Sequence, residues 1–257
     1  MKRSVGIFIP VYYRKDSVKR SIESLASTTL KADAFQIRAC VYVGVNGAGK
    51  ELNHFLNTVA RKILEAAGFE YVVRDWGKNV GKPATVNSLV KLHRSHSTLD
   101  YIVSYDSDIV ITDKMWLIKF IDAFEKWQGP KQLGALAADQ TGHNCHVIKR
   151  PVSYKAGSYN IVSQEGNFGI AGAVIFTPTK VWDLVGGYKA HRIFASDDGH
   201  FVRACYKHKL IMGVLKEVSV LHPTDKNTNY TDWKFRAARD QLKPDEMQGF
   251  KFGAAEV

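Results

Sequence analysis

Tyr101-Ile102-Val103-Ser104-Tyr105-Asp106-Ser107-Asp108-Ile109-Val110-Ile111 is an apolar run broken by two carboxylates one residue apart. A short run of this kind, bounded by a polar break, predicts a buried strand. When such a strand ends in two acids, it places two hard oxygen donors at the lip of a sheet, where open α/β sheets bind ligands. That pair suits a divalent cation, and a cation there can clamp a diphosphate. Taken alone, Asp-x-Asp also describes a solvated turn, so its meaning depends on the flanking chain.

Upstream, strand and helix signals alternate. Val5 to Val11 is rich in β-formers, and Ser17 to Ser27 carries Val18, Ile22 and Leu25 at helical spacing behind Asp16. Ile37 to Val45 predicts the next strand, and Leu52, Phe55, Leu56, Val59 and Ile63 stripe a longer helix. Tyr71 to Val73 is a third strand, followed by a helix from Lys82 to about Ser97 with Pro83 in its first turn. Downstream, Leu117, Phe120, Ile121 and Phe124 mark a helix closed by Gly129-Pro130. This rhythm predicts an α/β fold, with a mostly parallel twisted sheet and helices on both faces. Past Leu133 to Ala138 the pattern weakens into a long polar stretch, Asp139 to Asn167, read as an extended loop, before Ile170 to Thr177 returns as a strand. With no linker-like shift and no repeat, residues 1–257 read as one domain with an elaborated second half.

Composition narrows the class. The chain has 257 residues, 45% of them hydrophobic, and no apolar stretch approaches the length of a membrane span. Nothing near Met1 resembles a signal peptide. Cys40, Cys145 and Cys205 form no paired spacing and read as reduced thiols, which predicts a cytoplasmic protein. His143-Asn144-Cys145-His146 lacks a second ligand cluster and reads as a polar loop. A formal net charge of +11 favours polyanionic partners.

Three further segments carry chemistry. Gly44-Val45-Asn46-Gly47-Ala48-Gly49-Lys50-Glu51 nearly spells a phosphate-binding P-loop, but Glu51 stands where a metal-binding hydroxyl is required, so this is a chance match. In Ser196-Asp197-Asp198-Gly199, Ser196 or Asp197 can cap the helix carrying Val202, Cys205 and Tyr206. A carboxylate of that segment at the sheet edge can equally act as a general base. His222, after the strand Ile211 to Leu221, is either an ordinary strand-end histidine or a third metal ligand beside the two aspartates.

In this order the motifs resemble the family 2 glycosyltransferases, nucleotide-sugar enzymes of the GT-A fold, from about Val5 to His222. Ile7-Phe8-Ile9-Pro10-Val11-Tyr12-Tyr13-Arg14 is similar to the family's opening strand, and Val41 to Gly47 to the strand whose end reads the nucleotide base. Asn79-Val80-Gly81-Lys82 with Asn87 resembles its Asn-x-Gly segment, and Asp106-Ser107-Asp108 its metal motif. Gly169-Ile170-Ala171-Gly172 and Gly186-Gly187-Tyr188 resemble its acceptor-side glycine motifs, and Asp197-Asp198 stands at its catalytic Glu-Asp. Tyr13 replaces the usual Asn, Asn46 the usual Asp, and Asp197 the usual Glu. The Gln-x-x-Arg-Trp motif of processive synthases is absent, although Asp232 to Arg236 superficially resembles it.

The resemblance implies an inverting, metal-dependent transfer of one sugar from a nucleoside diphosphate sugar, a UDP-sugar by family habit, to an acceptor hydroxyl. It implies a nucleotide-binding half over residues 1–112, an acceptor half over 113–222 and an extension over 223–257. Pro10, Tyr12, Arg14, Asn46, Asn79, Lys82, Asp106 and Ser107 would line the donor site. Asp106, Asp108 and His222 would hold Mn²⁺ or Mg²⁺, Gly172 and Asp197 would lie on the acceptor side, and Asp198 would be the base. The basic charge, together with Lys149, Arg150 and Lys155, points to DNA as acceptor, through hydroxymethylated bases of the kind glycosylated in bacteriophages. Transfer would then take place in the cytoplasm of a bacterium or an infected host. The alternatives are a cell-envelope glycan or lipid-linked acceptor, a sugar nucleotidyltransferase, and a non-catalytic nucleic-acid-binding protein.

Overall fold

A computed structural model describes residues 1–12, 14–32, 35–142, 146, 148–164, 170–189 and 197–223, with the side chain of residue 197 outside the description. Tyr13, Cys145, Gly169, Ser196, the Asp232–Arg236 motif and the rest of 224–257 therefore lie outside the described residues.

The first half alternates as expected. Its elements are β1 (Lys2–Val11), α1 (Lys15–Ala26), β2 (Lys31–Ala32), β3 (Phe35–Val45), α2 (Lys50–Phe55), a π-helical turn (Leu56–Ala60), α3 (Arg61–Ala66), β4 (Glu70–Asp75), α4 (Lys82–Arg94) and β5 (Tyr101–Tyr105). The second half contains β6 (Val110–Ile111), α5 (Trp116–Glu125), β7 (Leu133–Gly142), β8 (Pro151–Ala156), β9 (Tyr159–Gln164), β10 (Val174–Pro178), α6 (Thr179–Val185), α7 (Asp197–Lys207) and β11 (Ile211–His222). The strands form one sheet of eleven, in the order β2-β3-β1-β5-β10-β7-β11-β9-β8, with β4 on β3 and β6 on β11.

β4, β3, β1 and β5 are parallel to one another, and β7 and β11 pair in parallel. β10 enters antiparallel between β5 and β7. This insertion positions the site. The C-terminal ends of β1, β3 and β5 reach one edge of the sheet, and an antiparallel β10 brings its N-terminal end to that same edge.

Two departures from the sequence reading have physical causes. The described residues of 139–167 are mostly strand, not loop: β7 continues to Gly142, and β8 and β9 form a hairpin turning at Gly157, whose φ is +60°. Along β8 the exposure alternates, with Val152, Tyr154 and Ala156 turned inward between exposed neighbours. The inward set is partly polar and aromatic, so its period-2 signal is weak in hydropathy alone. In the second helix, the π-turn adds a residue to one turn and rotates the apolar stripe. The buried positions become Leu56, Ala60 and Leu64, and Val59 is left 45% exposed.

Apolar side chains cover both faces of the sheet. Beneath β10, Phe176 stacks on Phe120 with ring centroids 5.0 Å apart and also meets Tyr101 at 4.8 Å, with both phenylalanines fully buried. Truncating a buried phenylalanine costs about 3–5 kcal/mol. Phe176→Ala should lose stability of that order in urea unfolding, and a loss under about 1 kcal/mol would contradict this packing.

Candidate active site

Asp106 and Asp108 leave the end of β5 through a tight turn that also carries half-buried Ser107. The Asp106 backbone N–H donates to the Ala173 carbonyl at 2.8 Å, extending the β5–β10 pairing by one bond and fixing where the acid leaves the sheet. Lys82 opens α4, and its Nζ lies 2.8 Å from Asp106 Oδ1. The same ammonium lies 3.2 Å from Asp198 Oδ1 and donates to the Gly172 carbonyl at 3.1 Å. One cation thus joins a carboxylate from the first half of the chain to one from the second, more than ninety positions away. Burial lifts the Asp106 carboxyl above its usual value, Lys82 opposes that rise, and Asp108 adds to it.

Asp198 sits in the first turn of α7. Gly172 makes room for it: a Cβ there would fall 1.9 Å from the Asp198 carboxyl carbon and 2.1 Å from its farther oxygen. α7 is held by Phe201, which packs against Trp182 and Tyr188. The Asn87 amide grips Tyr188 from both sides, donating to its carbonyl at 2.7 Å and accepting from its N–H at 3.1 Å. The Gly186-Gly187-Tyr188 segment is therefore the seat on which the helix carrying Asp198 rests.

Asp108 takes different partners. It forms an ion pair with Arg14, at the start of α1, and His222 Nε2 lies 3.4 Å from its Oδ2. His222 Nδ1 is 3.0 Å from Gln140 Nε2 across β7 and β11. The structure therefore brings Asp108 and His222 together, whereas Asp106 is turned toward Lys82. Among the described residues, no three His, Cys, Asp or Glu side chains gather at metal-binding spacing. The predicted trio is adjacent but not assembled, because two internal cations occupy its carboxylates. By donor chemistry the trio fits a hard divalent ion: two carboxylates and an imidazole. Rotation of the Gln140 amide would let its carbonyl accept from Nδ1–H, the usual support for an Nε2 metal ligand.

The residues expected at the donor site follow the edge. Pro10 and Tyr12 lie at the end of β1, and the Asn46 N–H donates to the Val11 carbonyl at 2.7 Å. Asn79 spends its side-chain carbonyl on the Gly81 N–H at 2.9 Å and so shapes the turn before α4. Thr85, whose hydroxyl lies 2.9 Å from Asn46 Oδ1, and Gln140, beside His222, carried no sequence signal. Thr85 looks like any polar residue on an amphipathic helix. Gln140 fell in the stretch read as a loop.

No family model matches the chain, and no curated protein matches it in sequence. In three dimensions it has the GT-A architecture of nucleotide-sugar glycosyltransferases. The mannosyltransferase PcManGT from Pyrobaculum calidifontis, solved with GDP-Man and Mn²⁺, superimposes with a TM-score of 0.62 at 14% identity, over 92% of this chain and 61% of that one. S. aureus TarS 1-349 with UDP gives 0.61 at 13% identity, over 93% and 67%. GalNAc-T7 with UDP, GalNAc and Mn²⁺ gives 0.62 at 8% identity, over 92% and 48%. At these identities the likeness is one of fold. No helix among the described residues is long and apolar enough to cross a membrane.

Proposed function

We propose that the chain is a metal-dependent, inverting glycosyltransferase that moves one sugar from a nucleoside diphosphate sugar to an acceptor hydroxyl. The observation that carries this reading is the Lys82 bridge, which sets Asp198 and Asp106 on the same rim, 3.2 and 2.8 Å from one ammonium. Asp198 takes the proton of the acceptor hydroxyl as its oxygen attacks the anomeric carbon. The bond from that carbon to the diphosphate oxygen breaks, and the electron pair leaves with the diphosphate. Lys82 and Arg14 lie where negative charge develops and stabilise it without having to be recruited from solvent. A divalent cation held by Asp106, Asp108 and His222 would neutralise the departing diphosphate. The neighbours solved with Mn²⁺ and nucleotide ligands support this assignment.

For the acceptor we favour hydroxymethylated DNA over a glycan or lipid-linked sugar. The net charge of +11 supports a polyanion, as do Lys149, Arg150 and Lys155, which lie exposed at and beside the β8–β9 hairpin. The target base would have to leave the duplex stack to be reached. Labelled duplex carrying hydroxymethyl bases should bind at low salt and weaken steeply as salt rises. A glycan labelled in its place would move the assignment to the envelope.

The enzymatic reading is tested with a panel of nucleotide sugars and Mn²⁺. Release of nucleoside diphosphate should occur with one of them, vanish with excess EDTA and return when Mn²⁺ is restored. No release from any of the panel would overturn it.

A further inference from the structure

We infer that Asn46 presents a hydrogen-bond donor to the nucleotide base and so selects a base whose facing edge carries an acceptor, as cytosine N3 does and uracil N3–H does not. The inference rests on the donor-site reading above and names its specificity.

The position follows from topology. The acidic turn ends β5, and the acceptor side, with Gly172 and Asp198, lies toward β10. A nucleotide whose diphosphate sits at β5 must therefore run the other way, over β1 to β3. Asn46 follows β3, two strand spacings from the acids, about 10 Å. That span suits a ribose and diphosphate.

The orientation of the amide follows from its partners. Asn46 is 3% exposed, and the Val80 backbone N–H points at its Oδ1 from 3.3 Å. A backbone N–H can only donate, so the oxygen of the amide must face it. The Thr85 hydroxyl lies 2.9 Å from the same oxygen and 2.8 Å from the Gly81 carbonyl; its single proton can go to only one of them, so the Val80 N–H alone fixes the amide, and Thr85 then donates to Oδ1. Thr85 comes this close because residue 44 is glycine: a Cβ there would lie 2.1 Å from Thr85 Cγ2. With Oδ1 committed on the protein side, the amide offers Nδ2 to a ligand. Among the described residues Nδ2 has no hydrogen-bond partner, and it is not one of the sealed, unsatisfied buried atoms. An N–H donor facing a base N–H leaves both unpaired in a nearly dry site, and such mismatches discriminate strongly. The uracil implied by family habit would meet that mismatch.

Titration calorimetry with CDP, UDP, GDP and ADP in Mn²⁺ tests this. CDP should bind at least about tenfold more tightly than UDP, the scale of one lost hydrogen bond in a buried site. GDP, whose major-groove edge carries two acceptors, is the arm that separates a purine from a pyrimidine site. In Asn46→Asp one oxygen still accepts from Val80 and Thr85, and the other now faces the base, so the CDP-over-UDP preference should reverse. UDP binding the parent protein as well as or better than CDP would overturn the inference, whether or not the variant folds. Failure of all four to bind would instead remove the donor site itself.

Discussion

Asp198→Asn should fold as the parent does and lose about 10²–10⁴-fold in transfer rate, the usual contribution of a positioned general base. The substitution keeps size and shape, and the residue is partly open to solvent rather than locked in the core. Phe201, Trp182 and Tyr188 hold α7 by packing that does not involve the carboxylate. An asparagine can still accept from Lys82 Nζ, but it cannot take a proton from an attacking hydroxyl at neutral pH. The informative measurement is single-turnover transfer alongside donor hydrolysis and thermal unfolding. Parental turnover with an unchanged melting temperature would remove Asp198 from the mechanism. If unfolding shifts greatly, the residue has a structural role that the described contacts do not contain.

Gly172→Ala should be nearly as damaging, by a different route. The new methyl would overlap the Asp198 carboxyl carbon at 1.9 Å, so the carboxylate must swing aside, away from Lys82. Displacing a reacting group by about 1 Å can cost about 10²-fold in rate. What yields is the end of a side chain at the rim, not the core, so melting should move little. Donor affinity should also be largely retained, because the methyl meets the Asp198 carboxylate and not Pro10, Tyr12 or Asn46. A variant with a parental rate constant would show that the observed Asp198 position is not the one used in catalysis. One with weakened nucleotide binding and normal turnover would place Gly172 in the donor pocket.

The places of the acids, Lys82 and Asp198 in the fold were legible in the sequence. The acids after β5 could be read because an apolar strand followed by two carboxylates has one common outcome, exit at a sheet edge. Lys82 and Asp198 could be read because each opens a helix behind a recognisable break. The hairpin of β8 and β9 was not legible. Its inward residues include Tyr154, Tyr159 and Ser163, and what makes them strand residues is pairing with each other and with β11. The shift from Val59 to Ala60 was equally hidden, because a one-residue expansion of a helix turn has no marker in composition.

The chain alone determined the main alternation of strands and helices in the first half, the halves from which the acids come, and the excess of positive charge, because each depends on residues close together in sequence. Tertiary structure decided which charge faces which. Arg14 took Asp108, Lys82 took both Asp106 and Asp198, and the Val80 N–H turned the Asn46 amide. These pairings join residues 24 to 116 positions apart. They depend on an antiparallel β10 entering a parallel array and delivering its N-terminal end to the acidic rim. Local pattern cannot specify that insertion, since it is selected by the packing of whole faces against one another.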